Sequence, residues 1–281
     1  MPELPEVETT RLGLMPACAN ATIAEFIART PKLRWPIDPK LPEILAMQPI
    51  VDLQRRGKYL LLQTSPGTLL VHLGMSGSLR ILPSATPIQK HDHVDIVLTS
   101  GQLIRLNDPR RFGAVLWHPS QLQSPHPLLA KLAPEPFDTA FNADYFYQKT
   151  RTKQVAIKTV VMDSAIVVGA GNIYANESLF LSGIHPLTPA KSLSLSECTT
   201  LVNQIKNVLR KAIEQGGTTL KDFMSPEGKP GYFVQALQVY GREGQACQHC
   251  KTPIQKIVIN QRASFFCPCC QPNPLHASSA D

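Results

Sequence analysis

The sequence predicts an α+β protein: an antiparallel β-sandwich or barrel in the first half, helices in the second, and a metal-binding hairpin near the end. Three observations lead there. From Lys58 to His118, short apolar runs alternate with turn residues. Beyond a cluster of prolines, apolar residues recur at helical spacing. Five of the seven cysteines fall within residues 247–270. With 281 residues, 43% of them hydrophobic, the chain is long enough for one large domain or two ordinary ones.

The first element expected is a short helix over residues 5–15. Pro5 suits the first helical position, and Glu6 and Glu8 complement the positive end of the helix dipole. The runs "KYLLLQT", "TLLVHLG", "SLRIL", "HVDIVLT", "QLIRLN" and "FGAVLWH" then read as strands, punctuated by turns such as "SPG" and "TSG". Prolines at 119, 125, 127, 134 and 136 mark an interdomain connection.

The clearest helix is "SLSECTTLVNQIKNVLRKAIEQGG". Ser194 and Glu197 form a capping-box pattern. Cys198, Leu201, Val202, Ile205, Val208, Leu209, Ala212 and Ile213 share one apolar face, and Gly216 ends the helix. Residues 216–234 are rich in Gly and Pro without a sustained period, which predicts a functional lid or a disordered segment. The expected divisions are 1–136, 137–239, a cysteine unit over 240–271, and a disordered tail over 272–281.

Cys247 and Cys250 form one Cys-x2-Cys pair; sixteen residues later Cys267 and Cys270 form another. That is zinc-ribbon spacing, because each pair bends two thiolates toward one ion and the stretch between can fold back as a hairpin. Four thiolates close a tetrahedral shell, so the expected cofactor is one structural Zn2+ with no open position. "IQKIVIN" and "ASFFC" supply the hairpin, turning near Asn260, Gln261 and Arg262. Cys269 is the spare thiol, and Cys18 and Cys198 read as ordinary buried cysteines.

Net charge is +7. Residues 1–136 hold 14 Lys and Arg against 11 Asp and Glu, and residues 137–281 hold 14 against 10. An excess spread over both halves favours a polyanion lying across both over one gripped by a basic tail. No apolar run reaches the roughly 18 residues of a membrane span, and no secretory signal is visible, so a cytoplasmic protein without membrane partners is expected.

The N-terminus "MPELPEVETT" carries its own chemistry. Removal of Met1, which a following proline permits, leaves Pro2 with a secondary amine of pKa near ~8. Such an amine has a useful neutral fraction at physiological pH and can attack a sugar's anomeric carbon in the manner of Schiff-base catalysis. Glu3 beside it is a proton source, and the helix from Pro5 would anchor the terminus.

These residues also carry a resemblance. "MPELPEVETTRLGL", "RRGKYLLL", "VHLGMSGSLR", "KHDHVDI", "NDPRRFGAVLW", "VVGAGNIYANESLF", "QVYGREGQAC" and the four-cysteine finger with "QRASFFC" occur in order along essentially the whole chain. Together they resemble the formamidopyrimidine-DNA glycosylase family, bacterial enzymes that excise oxidised purines from DNA. The resemblance implies an N-terminal β-sandwich flanked by helices as the catalytic domain (1–136). It implies a helix-two-turns-helix DNA-binding domain (137–239) whose loop 216–234 covers the extruded base, and then the zinc finger. Damaged double-stranded DNA would lie in the cleft between the domains, and a monomer is expected.

By the same resemblance Pro2 is the nucleophile at C1′, Glu3 the acid at the sugar ring oxygen, and Lys58 a proton-transfer and phosphate group. Arg262 matches the finger arginine of δ-elimination; a guanidinium is effectively always protonated, so charge stabilisation explains its role more simply than proton donation. Met75, Arg110 and Phe112 match the residues that fill the gap left by an extruded base. His91, Lys153, Asn172 and Tyr240 match DNA contacts, and Glu6 and Glu177 match residues lining the lesion pocket. Two other readings remain: an endonuclease VIII-like glycosylase for oxidised pyrimidines, against which the Met/Arg/Phe set argues, and a non-catalytic zinc-containing DNA-binding protein, against which Pro2, Glu3 and Lys58 argue.

Overall fold

The computed structural model describes residues 1–122, 124–218 and 236–273. Among them the chain divides into two compact units, one of residues 1–130 with 212–218, the other of residues 131–211 with 236–273. No helix among the described residues is long and apolar enough to cross a membrane. Most of loop 216–234 and all of the tail from residue 274 lie outside the described residues.

The first unit begins with α1 (Leu4–Cys18), which starts one residue before the expected Pro5 and runs three residues past the expected end. The capping residue is Glu3, whose side chain accepts the N–H of Glu6 while the Glu6 side chain accepts the N–H of Glu3. That reciprocal pair satisfies two of the helix's orphan donors. Leu4, Val7, Leu14 and Cys18 face the core. A short helix α2 (Leu41–Leu45) presents Leu41 and Leu45 to the same core.

Eight antiparallel strands follow: β1 (Thr22–Ala28), β2 (Gln48–Arg56), β3 (Tyr59–Thr64), β4 (Gly67–His72), β5 (Ser78–Pro83), β6 (Asp92–Leu98), β7 (Gln102–Asn107) and β8 (Ala114–Pro119). Their order is β5-β7-β6-β1-β2-β3-β4-β8. β1 and β2 share only the pairs Thr22↔Pro49 and Ile23↔Gln48, so the strands fall into two four-stranded halves. Both halves contribute to one hydrophobic core, with Ile23, Phe26, Val94 and Ile104 from one and Leu53, Leu60, Leu69 and Val115 from the other.

β1 and β2 are absent from the strands read in the sequence. In both, buried residues come three apart, Ile23 with Phe26 and Ile50 with Leu53. The cause is a shift of register inside each strand, between Ile23 and Glu25 and between Ile50 and Asp52. Such bulges erase the period-two signal that sequence patterning relies on.

Ionic pairs are buried within this unit. Arg105, 2% exposed, donates to both oxygens of Asp95 at 2.8 Å. Arg29 adds a third bond to Asp95 at 2.5 Å, and Arg80 binds Asp92 at 3.0 Å. A buried guanidinium is tolerated only when paired in this way. A single-turn helix α3 (Pro127–Ala130) closes the unit.

The second unit contains α4 (Ala143–Thr150), α5 (Ile157–Val161), α6 (Asn172–Leu181) and most of α7 (Leu195–Glu214). α7 is capped as expected: the Ser194 and Glu197 side chains bind each other's backbone N–H. Its apolar face is buried from Cys198 to Ala212. Gly216 and Gly217, with φ of +73° and +78°, terminate it. At Gly217 a Cβ would also press on the Glu6 side chain at 3.1 Å. The unit ends in a hairpin of β9 (Gln255–Ile259) and β10 (Arg262–Phe266).

Candidate active site and nucleic-acid interface

At the N-terminus, Pro2 and Glu3 are buried at the head of α1. Glu6 fixes them. One of its carboxylate oxygens accepts the N–H of Glu3 and the other the N–H of Thr218, each at 2.8 Å. The resemblance had placed Glu6 along a lesion pocket; here its side chain is 2% exposed and engaged by two backbone donors. Glu3, the residue beside Pro2, is therefore held by the helix's own third residue.

Lys58 sits in the tight turn joining β2 to β3, after Gly57 at φ +58°. Across the β3–β4 ladder Tyr59 pairs with His72, their rings 4.8 Å apart. His72 accepts the N–H of Gly74 through Nδ1 at 3.0 Å, so its proton resides on Nε2. Burial first, then the charges of Lys58 and Arg34, press its pKa down to about 4, so the ring is neutral at physiological pH.

Two loops leave the sheet beside each other, because His72 and Ala114 pair across β4 and β8. The first carries Met75 and the second Arg110 and Phe112. Met75 is 38% exposed and Phe112 43%, so both apolar side chains are open to a partner. The Arg110 guanidinium stacks 4.8 Å from the Phe112 ring centroid. An apolar tip next to a planar donor fork suits insertion between bases and hydrogen bonding to an exposed base edge. His91 adopts φ +73° just before β6, and its carbonyl accepts the N–H of Asp108 at 3.0 Å.

In the second unit, Gly171 is the N-cap of α6 and Asn172 is its first residue. The Asn172 Nδ2 donates to the carbonyl of Ala263 in β10 at 3.0 Å. One turn on, Asn176 accepts the N–H of Phe265 at 2.7 Å. Lys158, 1% exposed on α5, donates from Nζ to the Ala263 carbonyl at 2.9 Å and to Ser264 Oγ at 2.6 Å. Three side chains from two helices thus grip one strand of the finger. Lys158 was missed in the sequence; its only signal is a lysine inside the apolar run "AIKTVV".

Glu177 is likewise buried, and its carboxylate accepts the N–H groups of Gln238, Val239 and Tyr240 at 2.8, 3.0 and 2.9 Å. Burial raises its pKa above the ordinary carboxylate value, and the three N–H donors partly offset that. It acts as a backbone clamp at the entry to the finger. Tyr240 packs its ring 5.2 Å from that of Phe265. Lys153 lies half-buried after α4, its carbonyl accepting the N–H of Lys191.

The finger turn consists of Asn260 and Gln261, with φ of +47° and +60°. Positive φ at both positions defines the primed turn that matches strand twist. Arg262, exposed, is the first residue of β10 and pairs with Ile259; it follows the turn and is not part of it. It borders a groove of about 300 Å³ lined also by Lys158, Thr159, Asp163 and Asn260.

Sulfur atoms of Cys247, Cys250, Cys267 and Cys270 all lie within 4.8 Å of one another. The Cys250–Cys267 and Cys247–Cys270 separations are 3.4 and 3.9 Å. Zinc–sulfur bonds of about 2.3 Å in a tetrahedron demand sulfur–sulfur edges of about 3.8 Å, so the donor set fits one structural zinc ion. Cys269 is exposed and outside the cluster. Cys18 and Cys198 are buried thiols whose pKa burial raises, that of Cys18 to about 11.

Three family models match the chain: "Formamidopyrimidine-DNA glycosylase N-terminal domain" over residues 1–115, "Formamidopyrimidine-DNA glycosylase H2TH domain" over 132–224, and "Zinc finger found in FPG and IleRS" over 244–273. The chain is similar to the formamidopyrimidine-DNA glycosylase of Hydrogenovibrio crunogenus, 57% identical with 96% of each chain covered. It is equally similar to that of Vibrio cholerae, 57% identical over 96% of this chain and 100% of that one. A Lactococcus lactis FPG variant solved with DNA containing Fapy-dG superposes with a TM-score of 0.90 at 34% identity, covering 97% of this chain and 100% of that one. The MutM (FPG) protein of Thermus thermophilus gives 0.86 at 36% identity, covering 96% and 98%.

Proposed function

The chain belongs to the formamidopyrimidine-DNA glycosylase family, and on that basis we propose that it excises oxidised purines, 8-oxoguanine and formamidopyrimidines, from duplex DNA and then cuts the strand. The observation that carries the reading is the N-terminus: Pro2 and Glu3 stand ahead of α1, held by Glu6.

With Met1 removed, the Pro2 nitrogen attacks C1′ of the damaged nucleotide and the bond from C1′ to the base breaks. Glu3 donates a proton to the sugar ring oxygen, the ring opens, and a Pro2–C1′ iminium remains. The iminium acidifies the C2′ proton; its removal expels the 3′ phosphate, and a second elimination expels the 5′ phosphate. Water then releases Pro2. Lys58 serves proton transfer and a neighbouring phosphate, while Arg262 stabilises phosphate charge. Met75, Arg110 and Phe112 occupy the gap left by the extruded base. His91, Lys153, Asn172 and Tyr240 serve the DNA backbone. Zinc supplies no step; its four thiolates hold the hairpin that carries Arg262.

Incubation with a duplex bearing 8-oxoguanine opposite cytosine, in the presence of borohydride, should yield a covalent adduct that disappears when Met1 is retained. Absence of both adduct and strand cleavage would refute the reading. A Lactococcus lactis FPG was also solved with DNA containing an oxidised pyrimidine, at a TM-score of 0.89, so a thymine glycol duplex belongs in the same experiment.

A further inference from the structure

Building on that function, we propose that Asp108 is a positioning residue that fastens the Met75 loop to the Arg110–Phe112 loop, so that the two enter the duplex as one rigid wedge. Asp108 is 0% exposed and stands immediately after β7. Its two carboxylate oxygens serve different loops. Oδ1 accepts the hydroxyl of Ser76, next to Met75, at 3.2 Å. Oδ2 accepts the N–H of Gly113, next to Phe112, at 2.8 Å.

The backbone of Asp108 is itself anchored. Its N–H donates to the His91 carbonyl, and its own carbonyl binds His93 Nε2 at 3.1 Å and the N–H of Arg111 at 3.2 Å. Asp108 is therefore anchored from outside both loops by His93 in β6 and His91 just before it. Direct packing adds to this. Gly74 has φ +65°, and a Cβ there would fall 2.3 Å from the carbonyl carbon of Phe112. A Cβ on Gly113 would fall 2.9 Å from Asp108 Oδ2. The two loops touch backbone to backbone, with the carboxylate between them and the exposed side chains beyond.

Inserting side chains into a stacked duplex rewards a tip that is already ordered, because a loose loop would have to be ordered at the moment of insertion. A rigid wedge should matter when a base must be displaced from a duplex. It should matter little when the target is single-stranded.

Asp108→Asn keeps the side chain's shape but turns one acceptor into a donor. Its excision rate on the 8-oxoguanine duplex should fall by roughly ten- to a hundredfold, since a misplacement of about 1 Å can cost as much as the upper figure. Borohydride trapping on a single-stranded abasic oligonucleotide should change by less than about twofold, and the Asp108→Asn effect should vanish in a Met75→Ala/Phe112→Ala background. Ser76→Ala, which severs one loop only, provides the same comparison should Asp108→Asn fail to fold. Equal losses on both substrates, a wild-type-like duplex rate, or a full effect in the double-alanine background would each overturn the wedge. An inactive wild-type protein would instead overturn the function, and with it the step the wedge serves.

Discussion

The carboxylate of Glu6 accepts the backbone N–H of Glu3 at 2.8 Å, tying the third residue of α1 to the residue beside the proposed nucleophile. The same carboxylate reaches Thr218, 212 residues along the chain, through its other oxygen. One buried side chain thus ties both the head of α1 and the segment leaving α7.

Replacing Glu6 by Gln leaves one acceptor for two N–H groups. A buried donor without a partner costs about 1–3 kcal/mol, so thermal unfolding should register a loss of that order. The yield of borohydride adduct should fall further than stability alone explains, because the position of Pro2 is disturbed. Glu6→Ala should be worse in both assays.

Metal analysis of the native protein should find one zinc per chain, since the four thiols fit a single tetrahedral ion. A structural zinc site of this kind contributes about 10–16 kcal/mol of binding free energy at pH 7, which is folding free energy for the hairpin. Chelation or Cys250→Ser should therefore abolish the cross-strand amide signals of residues 255–266 and sharply weaken DNA binding. Finding no stoichiometric metal would overturn the assignment.

Acid should attack the Asp95–Arg105 pair. Burial opposes ionisation of Asp95, but its hydrogen bonds to Arg105 and Arg29 win and hold the carboxyl below its ordinary value. The pair's contribution is thus complete above the unfolded pKa near ~3.9 and is lost as pH falls through the lower folded value. Asp95→Asn should cost about 3–5 kcal/mol at neutral pH by leaving Arg105 buried and undercompensated. In urea unfolding at graded pH, that gap should narrow only in the acid range.

His72 should remain neutral where ordinary histidines titrate. Its folded pKa is about 4, against about 6.5 unfolded, so stability is full above the unfolded value and declines as pH drops toward the folded one. Heteronuclear NMR should show the Nε2–H tautomer with no titration between about pH 8 and about pH 5. A midpoint near the ordinary value would mean that the ring is not buried beside Lys58 and Arg34 as described.

Features with a local signature were legible along the chain before any folding. Short apolar runs bounded by turn residues marked β3 to β8, a 3.6-residue stripe with a capping box marked α7, and two Cys-x2-Cys pairs marked the metal cluster. In each, the signal lies in nearby residues whose geometry is set by backbone periodicity. The remainder arose from packing in three dimensions. β1 and β2 escaped because their bulges break alternation. Phe112 is exposed at a loop tip, which no periodicity in its neighbouring residues records. Lys158 reads as an anomaly among apolar residues until Ala263, 105 positions away, supplies its carbonyl. Glu6, Glu177 and Asp108 became clamps only once folding had brought distant donors to their oxygens. A buried carboxylate takes whichever donors the packed chain delivers, and no periodicity along the sequence records which those are.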